Sequence, residues 1–143
     1  MANLGVVFSR KSDEWETPLD FYETLNKEFD FNLDPCATHE NHKTEMYFTL
    51  EDDGLSKNWG GYNVFCNPPY SEIKKWVQKA DQECRKQNTL IVLLVPARTD
   101  TIWFHDYIYK KHEVRFIKGR LRFGNSTQNA PFPSMIVIFK SEV

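Results

Sequence analysis

The sequence predicts an α/β fold: a mostly parallel sheet with helices on its faces and an antiparallel last strand. Three observations lead there. Residues 89–95 are a continuous run of β-branched residues and leucine, the pattern of a central strand covered on both faces. Shorter apolar runs at 62–66, 114–117 and 135–139 are separated by stretches of helical periodicity or by turn-rich chain. The 143 residues contain no repeat and no low-complexity segment, so one domain with its own core is expected.

Residues 1–14 read as a flexible N-terminal arm and residues 15–143 as a single domain. Thr17-Pro18 opens a helix. Thr17 is expected to cap it, and Pro18 sits in the first turn, where its missing N–H costs nothing. Phe21, Leu25 and Phe29 follow at helical spacing. Residues 29–33 read as a short strand ending at Asp34-Pro35, residues 36–43 as a polar loop, Tyr47-Phe48 as a second short strand and Asp53-Gly54 as a turn. The run 62–66 leads directly into Asn67-Pro68-Pro69-Tyr70. Ser71 is then expected to cap a helix with Ile73, Trp76, Val77 and Ala80 on one face. Pro96 ends the central strand, 101–110 is helical, and 119–133 is a long turn-rich loop before the last strand. Ligands of such sheets bind beyond the carboxyl ends of the strands. Asp34-Pro35 and the Asn-Pro-Pro-Tyr loop both stand there.

Apolar residues make up 41% of the chain and aromatics 15%, a share that serves packing and base stacking alike. Cys36, Cys66 and Cys84 form no CxxC pair and read as reduced thiols of a cytoplasmic protein. No apolar run approaches the roughly 18 residues of a membrane helix, and residues 1–11 lack the apolar core of a signal peptide. The net charge of −2 hides a division: residues 1–66 carry 5 Lys/Arg against 13 Asp/Glu, and residues 85–122 carry 9 against 3. A chain divided this way can offer a basic face to phosphates while another face stays acidic.

The loop Asn67-Pro68-Pro69-Tyr70 carries the chemistry. Prolines fix φ and supply carbonyls without competing N–H donors. The asparagine adds a side-chain acceptor. Two converging acceptors suit a grip on an NH₂ group, and Tyr70 adds a plane for stacking on a base. The lone pair of a purine amino group is delocalised into the ring. Hydrogen bonds from its two N–H groups to Asn67 Oδ1 and the Pro68 carbonyl favour the pyramidal form, which can attack a sulfonium methyl in line. Such a reaction requires position and electrostatics rather than a metal.

The chain resembles the small phage-type, Dam-like DNA N6-adenine methyltransferases over nearly its whole length, from about Trp15 to Phe139. The resemblance rests on Glu16-Thr17-Pro18, on Leu33-Asp34-Pro35-Cys36-Ala37, on Asp53-Gly54-Leu55 with Trp59, and on Asn67-Pro68-Pro69-Tyr70-Ser71. It continues through Val95-Pro96-Ala97-Arg98-Thr99-Asp100-Thr101 with Trp103-Phe104, Gly119-Arg120-Leu121-Arg122-Phe123, and Pro131-Phe132-Pro133-Ser134. It implies a small Rossmann-like fold dependent on S-adenosyl-L-methionine, with an extruded adenine in DNA as acceptor. It places Thr17-Pro18 near the methionine end of the cofactor, Asp34-Pro35-Cys36 in the first cofactor motif, and Asp53 at the cofactor's adenine. No glycine-rich segment follows Asp34, a departure from the wider methyltransferase pattern. A phage-encoded enzyme would act in the host cytoplasm.

Lys118, Arg120, Arg122 and Phe123 interleave charge with an aromatic ring, a pattern suited to phosphates beside an extruded nucleotide. Arg98, at the end of the central strand, is expected either to meet a phosphate or to pair with Asp100. His39 and His42 match no common zinc spacing and read as loop residues; no metal is expected. Trp15, Trp59, Trp76 and Trp103 read as core residues more than as base platforms; Trp15, beside the flexible arm, is the one that could stand apart. Specificity is expected from loops 36–60 or 118–133, or from a second subunit in a homodimer. Two other readings remain open: a methyltransferase acting on an RNA base or a protein glutamine, and a DNA-binding module without turnover.

Overall fold

A computed structural model describes residues 15–124 and 128–141. The expected arm at 1–14 lies outside the described residues. Helix α1 (Leu19–Phe29) buries Tyr22, Leu25 and Phe29 along one face. Pro18, not Thr17, occupies its N-cap position, and no side chain caps it. Thr17 turns inward and is buried, because its hydroxyl is taken by Asn67. The C-terminal end is closed at Asp30, whose left-handed backbone (φ 54) returns its N–H to the Asn26 carbonyl. Asn63 Nδ2 donates to the last carbonyls, those of Phe29 (2.9 Å) and Asp30 (3.1 Å).

The remaining elements are β1 (Asn63–Cys66), α2 (Ile73–Glu83), β2 (Leu90–Pro96), α3 (Ile102–Tyr107), β3 (Glu113–Phe116) and β4 (Ser134–Lys140). The sheet order is β1-β2-β4-β3. Strands β1 and β2 are parallel, with Val64 beside Ile91 and Cys66 beside Leu93. Strand β4 runs antiparallel to both neighbours, pairing Val92 with Ile138 and Val114 with Val137. The last strand is therefore the antiparallel one, inserted between strands that share a direction. Beyond β1 the sheet is extended only by two parallel bridges, Leu33 to Val64 and Asp34 to Tyr47. The strand expected at 29–33 is this short because Phe29 is still helical and Pro35 has no N–H to continue a ladder.

Side-chain alternation along the strands sends two sets of residues to opposite faces. Val64, Cys66, Ile91, Leu93, Val95, Val137 and Phe139 pack with Trp76, Val77 and Ala80 of α2 and Phe104 of α3. Phe65, Val92, Leu94, Ile136 and Ile138 pack with Tyr22, Leu25 and Phe29 of α1. The result is a three-layer sandwich with the sheet buried on both faces, as the unbroken apolar run of β2 requires. A 3-10 turn at Tyr70–Glu72 leads into α2, where Glu72 is the N-cap residue and no side chain caps. Ser71 therefore does not cap α2; the Glu72 N–H goes to the Pro69 carbonyl (3.1 Å) instead. Thr101 does cap α3, its Oγ1 accepting from the Phe104 N–H.

Candidate active site

The carboxyl edge of the sheet opens into a cleft of about 1340 Å³. Thr17, Asp34, Pro35, Cys36, Asp53, Asn67 and Pro69 all line it, so one depression joins the candidate cofactor residues to the candidate catalytic loop. Its volume exceeds that of a single drug-sized pocket, roughly 300–1,000 Å³. The charged residues on its wall are mostly acidic: Glu16, Asp34, Glu40, Glu51, Asp53 and Glu72, against Lys43 and Lys75. An acidic wall suits a ligand that carries positive charge, as a sulfonium and an ammonium do. Pro18 is not on this wall; it starts α1 behind Thr17.

Asp34 is 4% exposed. Its carboxylate accepts N–H bonds from Cys36 (3.3 Å) and Lys43 (3.0 Å), which folds residues 36–43 back over the strand end. Burial pushes its pKa up to about 6 against the pull of those bonds. Across the cleft, Asp53 stands in a left-handed conformation (φ 59) and turns the chain into the 3-10 segment Gly54–Ser56. Trp59 anchors that turn: its Nε1 donates to the Gly54 carbonyl (2.9 Å), its backbone N–H meets Glu83 (2.7 Å), and its ring stacks on Trp76. Gly54 lies so close to the Pro35 backbone that a Cβ would fall 2.0 Å from the Pro35 carbonyl oxygen. Two short segments thus meet backbone to backbone at the cleft floor, where a conventional glycine-rich turn is missing. Residue type at 54 carried this signal only as a turn; its steric role depends on a contact between distant segments.

Asn67 follows β1 directly. Its Nδ2 donates to the Trp15 carbonyl and to Thr17 Oγ1 (3.0 Å). A backbone carbonyl can only accept, so this bond fixes the amide orientation and leaves Oδ1 as the free acceptor. Oδ1 is buried without a partner, an expensive state for a carbonyl oxygen unless a donor arrives. Pro68 is buried and Pro69 half-buried. The Tyr70 hydroxyl is also buried without a partner, and burial raises its pKa, opposed by the nearby Arg98. The Trp15 ring stacks on Tyr70.

Arg98, Lys118, Arg120 and Arg122 are exposed. Arg120 reaches only the Ala130 carbonyl at 3.5 Å, and among the described residues Arg98 forms no ion pair with Asp100. Phe123 corrects the sequence reading. It is 1% exposed and belongs to the α1-side core, where it packs against Trp15 and Phe132. It supports the site from beneath and has no face to offer a nucleotide. His39 and His42 both pack on Tyr47, the first through a 2.9 Å hydrogen bond and the second by stacking. The one trio of metal-type donors among the described residues, Asp81, Cys84 and His112, is outside the cleft, with Asp81 already bonded to His112 and Arg85. Among the described residues no helix is long and apolar enough to cross a membrane.

An open α/β sheet with an antiparallel insert, an acidic cleft at its carboxyl edge and an Asn-Pro-Pro-Tyr loop on the rim define an amino-group methyltransferase. The family model for DNA N-6-adenine-methyltransferase (Dam) matches residues 6–142, and the chain belongs to that family. It is 30% identical over 142 residues to a DNA N-6-adenine-methyltransferase of Haemophilus phage HP1, covering 92% of this chain and 82% of that one. It is 32% identical over 111 residues to one of Escherichia phage T1, covering 76% of this chain but 46% of that longer relative.

The contact at Gly54 generates a first prediction. Gly54→Ala places a methyl against the Pro35 carbonyl and the Trp76 ring, and overpacking of this kind costs about 1–3 kcal/mol. Urea unfolding should show that loss, and the cleft should bind its ligand more weakly at temperatures where the variant is still folded.

Proposed function

We propose that this chain is the catalytic unit of a DNA adenine N6-methyltransferase in which Asn67, Pro68, Pro69 and Tyr70 receive an extruded adenine and the acidic cleft receives S-adenosyl-L-methionine. The single observation that carries this reading is Asn67. Its amide is clamped by Trp15 and Thr17 so that Oδ1 is left a buried acceptor without a partner. A buried acceptor that is fixed and without a protein partner is preorganised for an N–H donor.

The cofactor supplies a methyl group on positively charged sulfur, transferred in a single displacement. The chain's own residues do the rest. Asn67 Oδ1 and the Pro68 carbonyl accept the two N–H bonds of the adenine N6, which returns its lone pair from the ring to the nitrogen. Tyr70 provides a plane for the base. Asp34 and its loop through Pro35 and Cys36, with Asp53 opposite, hold the cationic cofactor; Thr17 touches both sides, since its Oγ1 accepts from Asn67 while it lines the cleft. Arg98, Lys118, Arg120 and Arg122 bind the phosphates. The pairing of an acidic cleft with an exposed basic loop suits a cationic cofactor and a polyanionic acceptor, and disfavours a neutral protein glutamine as the acceptor.

Asn67→Ala removes the acceptor and should lower single-turnover methylation of unmethylated DNA by at least about 100-fold, the usual loss for one transition-state hydrogen-bonding group. Asn67→Asp keeps an oxygen but loses the donor to the Trp15 carbonyl, so its rate should fall between those of wild type and Ala. A wild-type rate in Asn67→Ala would place the chemistry elsewhere.

The raised pKa of Asp34 gives a pH signature. Its charge is lost as pH falls through about 6, so calorimetric affinity for S-adenosyl-L-methionine should drop across that point, and Asp34→Asn should be weaker and flat with pH. Stability runs the other way. A carboxyl whose folded pKa stands above its ordinary 3.8 holds its proton more tightly when folded, so its contribution declines as pH rises from about 4 to about 6.

Arg120→Ala and Arg122→Ala should each flatten the salt dependence of DNA binding, lowering the slope of log K against log salt by about 0.9 per lost phosphate contact. Filter binding at several salt concentrations reads this directly; slopes equal to wild type in both variants would remove the two arginines from the DNA surface.

A further inference from the structure

Three aromatic rings meet above the Asn67 loop. Trp15 and Tyr70 are near-parallel, with an interplanar angle of 23° and centroids 6.1 Å apart. Phe132 closes one end, nearly perpendicular to both: 88° to Trp15 at 5.5 Å and 70° to Tyr70 at 5.1 Å. Phe123 packs against Trp15 and Phe132 and is fully buried, so it fixes them from below. Trp15 and Tyr70 therefore stack on each other with Phe132 edge-on to both, a closed aromatic cluster beside Asn67. Packing alone explains the cluster poorly, because two polar atoms of the walls, Trp15 Nε1 and the Tyr70 hydroxyl, are buried without partners beside the orphaned Asn67 Oδ1. Three such atoms sit on residues that touch one another, a place a polar ligand could complete.

We propose that Trp15 is the second stacking wall of the target-base slot, facing Tyr70 across the adenine, and that Phe132 is its end wall. This rests on the reading that the Asn67 loop holds the adenine. A base between two rings needs about 7 Å, twice the ~3.4 Å spacing of stacked bases. In the free protein the two rings stack on each other, so they must separate to admit the base. The Trp15 carbonyl held by Asn67 Nδ2 is the pivot: the residue that grips the amino group also sets the wall that covers it. Trp15 is thus a base-contacting residue, and its carbonyl orients Asn67 whether or not a base is present.

The test compares Trp15→Ala, Trp15→Phe and Phe132→Ala, using unmethylated bacterial DNA and radiolabelled S-adenosyl-L-methionine. Trp15→Ala should lower kcat/KM for DNA by about 5- to 100-fold, the worth of one base–aromatic stack. Trp15→Phe should recover most of that loss, and Phe132→Ala should lose less than Trp15→Ala. The slope of log K against log salt should stay as in wild type in all three. Adding DNA to enzyme already saturated with S-adenosylhomocysteine, which has no methyl to give, should change tryptophan emission in wild type more than in Trp15→Phe. A Trp15→Ala enzyme as fast as wild type, or faster, overturns the proposal, the second result identifying Trp15 as a plug. Equal damage in Trp15→Ala and Trp15→Phe overturns it as well, assigning the ring to packing. The underlying reading fails separately, through a fully active Asn67→Ala.

Discussion

The bond from Asn67 Nδ2 to the Trp15 carbonyl organises the site. An amide side chain on a rim loop is free to rotate, and either face can point at a substrate. Here a backbone carbonyl 52 residues away in sequence and the Thr17 hydroxyl together admit only the donor end. That leaves Oδ1 as an acceptor buried without a partner. Because Trp15 and Thr17 precede α1 and Asn67 directly follows β1, the bond also ties the layer on one face of the sheet to its first strand. Its formation presupposes that α1 is seated, and Asn63 ensures this from the other end of the same strand by satisfying the last carbonyls of α1. Strand β1 therefore places its functional residue and secures the helix that aligns that residue.

Charge divides along the same geometry. The cleft collects carboxylates from the first half of the chain, and the exposed loop after β3 collects Lys118, Arg120 and Arg122. Arg98 belongs to the second group but sits close enough to Tyr70 to pull against the rise in its pKa. On the proposed reading, a negative cleft would repel DNA and a positive loop would repel the cofactor, steering each ligand to its own side of Asn67. The small net charge of −2 conceals this, because it averages two surfaces that act separately.

Much of this was legible in the residues. The buried run of β2, the short strand leading into Asn67 and the antiparallel last strand followed from period and turn signals, and the charge division followed from counting. The capping residues did not. Thr17 and Ser71 satisfy the local rule for helix starts, yet Thr17 is diverted to Asn67 and the chain after Tyr70 begins with a 3-10 turn that uses the Pro69 carbonyl. Tertiary demand overrode a local preference worth about 1 kcal/mol. Phe123 was misjudged for a related reason: alternation within Arg120-Leu121-Arg122-Phe123 shows which side chains share a face, but not that Trp15 and Phe132 lie across from it. Gly54 illustrates the same limit. Its missing Cβ matters because Pro35 approaches from another segment, and no window of sequence contains both.

The energetics of base extrusion explain why a domain this small keeps so many aromatic rings at one edge. Unstacking and unpairing an adenine costs a few kcal/mol. One ring returns roughly 1–3 kcal/mol by stacking, which leaves Tyr70 alone near break-even. Phosphate contacts add affinity, but they act equally on the stacked and the extruded forms unless the backbone is distorted. They cannot by themselves favour the flipped state. Contacts made only by the extruded base must do so: the two N–H bonds to the Asn67 loop and stacking on both faces. A protein with a large recognition domain can spread this work across the duplex. Among the described residues, which form one sheet and three helices, this work falls, on the proposed reading, to the Asn67 loop and to the aromatic cluster in which Trp15 stacks on Tyr70.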